Sequence, residues 1–351
     1  MAENHNRLST GCQLCQQGKW LCIFLTYRCN AGCSFCPAPF RDDHIRSSLG
    51  NKKEQILQYL QKAEFNGISF SGGDPFLVYD RLLEWLSYFK GNFPDFYYWV
   101  YTSGIEVTVD KMQELVAGGM NEIRFNIAAT GYLNDQVWNR IKAAGGIFPY
   151  VSVEIPSIAK DFRLVEKALE RLNACGVKFL NLHDLILSND DAEPENENCS
   201  SFILNKTIPV RYDSASADNT SRIIDLVKQH NYGFSVNHCS MQKKELQMIQ
   251  RRRKMGELFN NPEYDMALPD GTVCNFYKIG EKISLTQLKM RFADPDYRQT
   301  LGRNMLKLND PGIRVESGNR VIIARYVPKM GFDQEKIFLG IKSSNYTRVE
   351  N

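Results

Sequence analysis

The sequence predicts an α/β fold, a partial parallel (β/α)6-7 barrel followed by a small β-rich C-terminal domain. Two observations carry this. From residue 21 to about 240, short β-rich runs alternate with segments of 3.6-residue periodicity, as in repeated strand-helix units. Beyond residue 263, turn signals at Pro269-Asp270-Gly271 and Ser317-Gly318-Asn319 separate further β-rich runs, as in a domain built of hairpins.

The barrel strands are expected at Leu21–Tyr27, Gly67–Ser71, Tyr97–Thr102, Glu122–Ala128, Tyr150–Ile155, Phe179–Asp184 and Gly233–Asn237. Apolar sets such as Leu82/Leu83/Leu86/Phe89 and Val165/Leu169/Leu172 mark helices between them, several closed by Gly118, Gly119 or Gly176. In four later strands apolar residues alternate with polar ones: Arg124 and Asn126, Ser152 and Glu154, Asn181 and His183, Ser235 and Asn237. Helices cover one face, so the polar face is expected to line a hydrated cavity. The polar stretch 188–220 breaks the rhythm and reads equally as a disordered insertion or a lid over the barrel mouth.

The 351 residues, 43% of them hydrophobic, suffice for about two domains. The expected division is a Cys-containing segment over 1–20, the barrel over 21–256 and the β-rich domain over 257–351. With 43 Lys plus Arg against 40 Asp plus Glu, the net charge of +3 argues against binding driven by bulk charge on nucleic acid. No apolar run approaches the roughly 18 residues of a spanning helix, and residues 1–20 lack a signal-peptide stretch. The chain is therefore expected to be cytoplasmic, with no membrane partner.

Six of the ten cysteines fall within the first 36 residues. Under reducing conditions such a cluster reads as a metal site before a disulfide scaffold. Cys29, Cys33 and Cys36 form C-x3-C-x2-C at the end of the first strand. Three thiolates on one loop can hold three irons of a 4Fe-4S cluster and leave the fourth open to an outside ligand. A structural zinc site has a different spacing, with a distant second pair of ligands.

With these residues the sequence resembles the radical S-adenosylmethionine (radical SAM) superfamily over about residues 20–240. Phe35 matches the family position whose backbone meets the adenine, and Gly72-Gly73-Asp74-Pro75 resembles the glycine-glycine-acid motif for the methionine amino group. Two glycines permit close backbone approach, and an acid accepts from an ammonium. Here the acid is Asp where Glu is usual. The resemblance implies a partial barrel of radical SAM type. It also implies a 4Fe-4S cluster, S-adenosylmethionine as cofactor, and a reducing partner such as flavodoxin or ferredoxin. Cleavage would yield a 5′-deoxyadenosyl radical that abstracts a substrate hydrogen. By strand position Thr102, Ser103, Asn126 and Glu154 are further candidate cofactor contacts, each with an alternative reading as a satisfied polar residue at a strand end.

Cys12 and Cys15 make a second C-x2-C, which His238 or Cys239 could complete as a Zn or auxiliary Fe-S site. Lys243, Lys244, Arg251, Arg252, Arg253 and Lys254 form a basic stretch, read first as a solvated helix face with Leu246, Ile249 and Met255 turned inward. Its functional reading is an anionic substrate. The leading C-x2-C, the His-Cys-Ser and this helix together resemble a little-characterised group related to glycyl-radical (pyruvate formate-lyase type) activating enzymes. The first functional expectation is hydrogen abstraction from a small anionic or nucleotide-like substrate, with nucleic acid also in view. The alternative is modification or activation of a protein or peptide. A non-catalytic Fe-S or zinc scaffold is the reading from another class, and the polar strand faces weigh against it.

Overall fold

In the computed structural model, residues 7–36, 53–62, 64–187, 198–204, 208–259, 263, 265–267, 273–278, 281–283, 313–315 and 321–326 are described. The chain divides into two compact units, the first taking most residues up to Lys244 and the second the chain from Glu245.

The first unit is built on seven parallel strands: β1 (Trp20–Thr26), β2 (Gly67–Gly72), β3 (Tyr97–Thr102), β4 (Glu122–Phe125), β5 (Tyr150–Pro156), β6 (Phe179–His183) and β10 (Ser235–Cys239). They lie in the order β1-β2-β3-β4-β5-β6-β10. Parallel neighbours require crossovers, which are right-handed, so a sheet that always advances in one direction carries its helices on one face and leaves the other as a concave interior. These helices include α2 (Lys53–Lys62), α3 (Tyr79–Asn92), α4 (Val109–Ala117), α5 (Asp135–Gly145), α6 (Phe162–Ala174) and α7 (Ala215–Gln229). Thr108 and Asn134 cap α4 and α5 by accepting backbone N–H groups, and Gly176, at φ +72°, follows α6 in the left-handed region. The helix-facing core includes Ile23, Phe70, Leu86, Phe125, Leu172 and Phe234, all buried. Each such side chain contributes about 1.5–3 kcal/mol by leaving water.

The alternation read from the sequence locates all seven strands of the sheet, with shifted ends. The fourth stops at Phe125, because Asn126 turns the chain by accepting from Ala129 N–H at the start of a 3-10 turn, Ile127–Thr130. The stretch 188–220 is structured where it is described. Strands β7 (Ile186–Leu187), β8 (Cys199–Leu204) and β9 (Ile208–Asp213) form a separate sheet in the order β7-β9-β8, and α7 begins at Ala215. Residues 188–197 and 205–207 lie outside the described residues.

Within the segment 1–20, the described residues 7–20 are part of the first unit. Helix α1 (Thr10–Gln16) lies against the concave face of the sheet. A Cβ on Gly11 would come within 2.4 Å of Arg124 Nη2, and one on Gly67 within 2.8 Å of the Leu14 side chain. Helix α8 (Met241–Phe259) follows β10, and Leu246, expected to turn inward, is 60% exposed. The side chains of Arg252, Lys254 and Met255 lie outside the described residues.

In the second unit β11 (Asp265–Ala267), β12 (Val273–Lys278), β13 (Glu281–Ile283), β14 (Ile313–Val315) and β15 (Val321–Tyr326) make an antiparallel sheet ordered β11-β12-β15-β14, with β13 on β12. The two turn signals fall between β11 and β12 and between β14 and β15, outside the described residues. No described helix is long and apolar enough to cross a membrane.

Candidate active site

The cysteine loop leaves the C-terminal end of β1. Thr26 Oγ1 accepts Arg28 N–H at 3.0 Å, Cys29 Sγ accepts Ala31 N–H at 3.4 Å, and Cys33 O accepts Cys36 N–H at 3.3 Å. Asn30 Nδ2 donates to Glu106 Oε1 at 2.6 Å, tying the loop to the segment after β3. Cys29 and Cys36 are exposed and Cys33 is half-buried. Partial burial raises the thiols of Cys29 and Cys33, the latter to about 11, and charge on the neighbouring cysteines raises both further. Three thiols within reach of each other's charge are a donor set that a cationic centre relieves.

Gly72 and Gly73 dock the end of β2 on this loop. A Cβ on Gly72, at φ +123°, would lie 2.0 Å from Thr26 O, and one on Gly73 2.0 Å from Arg28 O. The same carbonyls accept Gly73 N–H at 2.7 Å and Asp74 N–H at 2.8 Å. The close approach expected toward a ligand is thus made, in these contacts, to the backbone leading to Cys29. Asp74 is fully buried, and its carboxylate is occupied by protein donors. Oδ1 accepts from Phe76 N and Thr102 Oγ1, each at 3.1 Å, and Oδ2 from Ser103 N at 3.0 Å and Ser103 Oγ at 2.6 Å. Asp74 therefore joins the ends of β2 and β3, where an ammonium contact was expected. Thr102 and Ser103 serve that junction, and Pro75 opens the 3-10 turn that Asp74 caps.

Glu154, another candidate cofactor contact, belongs to a network across the concave interior. Its Oε2 accepts from Arg124 Nη1 at 2.8 Å, and its Oε1 is 2.8 Å from His183 Nε2. Arg124 also donates to both oxygens of buried Glu122, at 2.9 and 3.2 Å, and to Ser9 Oγ at 3.1 Å. The polar strand faces read as a hydrated cavity are, over this part, paired with one another and covered by α1. Strand alternation does not reveal the Arg124–Glu122 ion pair, since it gives a residue's face and not its partner.

The proposed second metal set does not assemble. His238 points to the face opposite Cys239 and bonds Asp184 Oδ1 through Nε2 at 2.7 Å. Cys12 Sγ donates to Asn181 Oδ1 at 3.4 Å. Among the described residues no three His, Cys, Asp or Glu side chains gather for a single metal ion. A cubane differs, because each thiolate ligates its own iron and the ligands stand apart.

Beside the cysteine loop opens a cleft of about 890 Å3. Gly32, Cys33, Ser34 and Phe35 form one wall, and Tyr132, Ile158, Lys160, Asp161, Ile186, Leu187 and Asp213 contribute to the rest.

Residues 23–196 match the family model of the Radical SAM superfamily. The chain carries a radical SAM domain. A protein of Methanocaldococcus jannaschii, provisionally named a glycyl-radical enzyme activating enzyme, is 23% identical over 283 residues, covering 77% of this chain and 73% of its own. Among solved structures, SuiB of Streptococcus suis bound to S-adenosylmethionine aligns with a TM-score of 0.46 at 10% identity. That alignment covers 63% of this chain and 50% of SuiB, so the chain spans about half of SuiB's length. Coproporphyrinogen III oxidase of Escherichia coli aligns with a TM-score of 0.42 at 12% identity, covering 65% of this chain and 57% of that one. The radical SAM family implies a 4Fe-4S cluster and S-adenosylmethionine, and the three mutually coupled thiols on one partly exposed loop suit the cluster.

Proposed function

We propose that this enzyme reductively cleaves S-adenosylmethionine to a 5′-deoxyadenosyl radical and abstracts hydrogen from a protein or peptide substrate. Cys29, Cys33 and Cys36 would hold the 4Fe-4S cluster, which when bound supplies the electron for cleavage, delivered by a flavodoxin- or ferredoxin-type partner. The observation that carries the reading is the cleft itself, because residues 32–35 of the cysteine loop form its wall. Phe35 offers an aromatic surface there, and the Gly72–Asp74 junction keeps the loop in place against β2 and β3. A substrate in this cleft is brought beside the site of radical formation.

The substrate class rests on two supports. The Methanocaldococcus relative is named for activating another enzyme, which is a protein substrate. The cleft wall includes β7, an end strand of its sheet among the described residues, to which an extended peptide can add through backbone hydrogen bonds. Charge favours this over a small anion, since Lys160 is set against Asp161 and Asp213 in the lining.

The test uses anaerobically reconstituted protein with S-adenosylmethionine and dithionite, comparing wild type with Cys29→Ala. Wild type is expected to form 5′-deoxyadenosine, and the variant to lose it together with bound iron. Equal product from both would refute the reading. Turnover that rises with a candidate glycyl-radical protein, and not with nucleotides, would support the substrate class; the reverse would overturn it.

A further inference from the structure

The interior network contains a thiol that the proposed chemistry leaves unused. Cys239 and His183 are register partners at the C-terminal ends of β10 and β6, facing the barrel interior, with Asn237 and Asn181 paired two residues earlier. His183 is hydrogen-bonded to Cys239 as well as to Glu154, and Glu154 is held in turn by Arg124. A thiol, an imidazole and a carboxylate in series are the parts of an activated nucleophile. On α1, Cys12 and Cys15 lie one turn apart. Cys12 meets Asn181 and Asn237, and Cys15 is near enough to Cys239 for charge on one to be felt at the other.

We infer that Cys239, activated by His183 and Glu154, is a second reactive centre that takes small disulfides, with Cys15 as the thiol that resolves the mixed disulfide. The Cys239 thiolate attacks one sulfur of RSSR. A bond to RS forms at Cys239, the S–S bond breaks, and the departing thiolate takes the imidazolium proton of His183. Cys15 then passes its proton to His183 and attacks the Cys239 sulfur. The second RS− leaves with that proton. Two protein thiols are oxidised to one disulfide, and the substrate disulfide is reduced to two thiols.

The electrostatics agree with the geometry. Burial works against a thiolate at Cys239, yet the charge and hydrogen bond of His183, with Lys244 of α8, hold its thiol below the usual value. Glu154 acts the other way, through space, and is paired with His183. Burial pushes Cys12 up to about 11 and raises Cys15 and Cys175, so Cys239 stands apart from these.

The test is cysteine mapping on the anaerobic, cluster-loaded enzyme, with iodoacetamide and 2-hydroxyethyl disulfide as probes. Iodoacetamide is expected to label Cys239 at least about tenfold faster than Cys175 near neutral pH, an advantage that shrinks as the pH rises and Cys175 ionises. His183→Gln should remove the advantage near neutrality. 2-Hydroxyethyl disulfide should release two thiols from wild type and leave a Cys15–Cys239 bridge, whereas Cys15→Ser should release one and retain a mixed disulfide on Cys239. Wild-type Cys239 labelled no faster than Cys175 overturns the proposal whatever the variants do. So does one zinc per chain whose removal by a chelator exposes Cys12, Cys15 and Cys239 together, since that result assigns these thiols to a metal. A bridge between Cys12 and Cys15 overturns the resolving role.

Discussion

Gly73 lies against the carbonyl of Arg28 so closely that a Cβ would stand 2.0 Å from the oxygen. Both groups are backbone, and no rotamer change relieves the clash. Gly73→Ala should therefore push Arg28, and with it Cys29, out of register with β2. The expected outcome is a protein that retains its helical circular dichroism but loses most of its iron and at least about tenfold in 5′-deoxyadenosine formation, because small displacements of reacting groups are costly. Iron analysis and product quantification on the same preparation check this.

Asp74 is enclosed by Phe76, Thr102 and Ser103. Substituting the longer acid, Asp74→Glu, adds a methylene to a filled site, which costs about 1–3 kcal/mol. Its denaturation midpoint should fall, although Glu is the acid more usual in the family motif. Asp74→Ala should be worse, since several buried donors lose their acceptor.

Arg124 neutralises Glu122, a carboxylate with no exposure at all. Arg124→Ala leaves that charge buried and uncompensated, at a cost of about 3–5 kcal/mol. Chemical denaturation should show the loss, and Arg124→Ala combined with Glu122→Gln should recover part of it.

Glu154 fixes an acid limb of stability. Burial raises its carboxyl, but His183 and Arg124 outweigh burial and bring it down to about 2 from 4.5. A depressed carboxyl contributes above the unfolded value, and that contribution is lost as pH falls from about 4.5 toward 2. Glu154→Gln should flatten this limb in denaturation measured across that range.

On the alkaline side two effects oppose. Burial lowers His183, but Cys239 and Glu154 raise it from 6.5 to about 9, a contribution present below 6.5 and lost as pH climbs through 9. Cys239 is depressed, so its own contribution grows over an overlapping range. The pair exchanges one proton internally, and the wild-type limb should be nearly flat. Cys239→Ser removes the largest influence that raises His183 and leaves only Glu154 against burial, so its decline, read as a falling denaturation midpoint above about pH 6.5, should end below pH 9.

The linear sequence by itself determined the seven parallel strands, because period-2 and period-3.6 patterns are local consequences of backbone geometry. It also determined the cysteine loop, since all three thiols fall within eight residues of one another. Tertiary structure decided what those residues face. His238 and Cys239 are adjacent in sequence, yet register with β6 turns Cys239 toward His183 and sends His238 to Asp184. The polar strand faces announced a polar interior, but only packing showed α1 inside it, with Cys12 meeting Asn181 across 169 residues. Local periodicity fixes the side of an element on which a residue lies. The group opposite is set by close packing between distant segments, and no spacing within either segment records it.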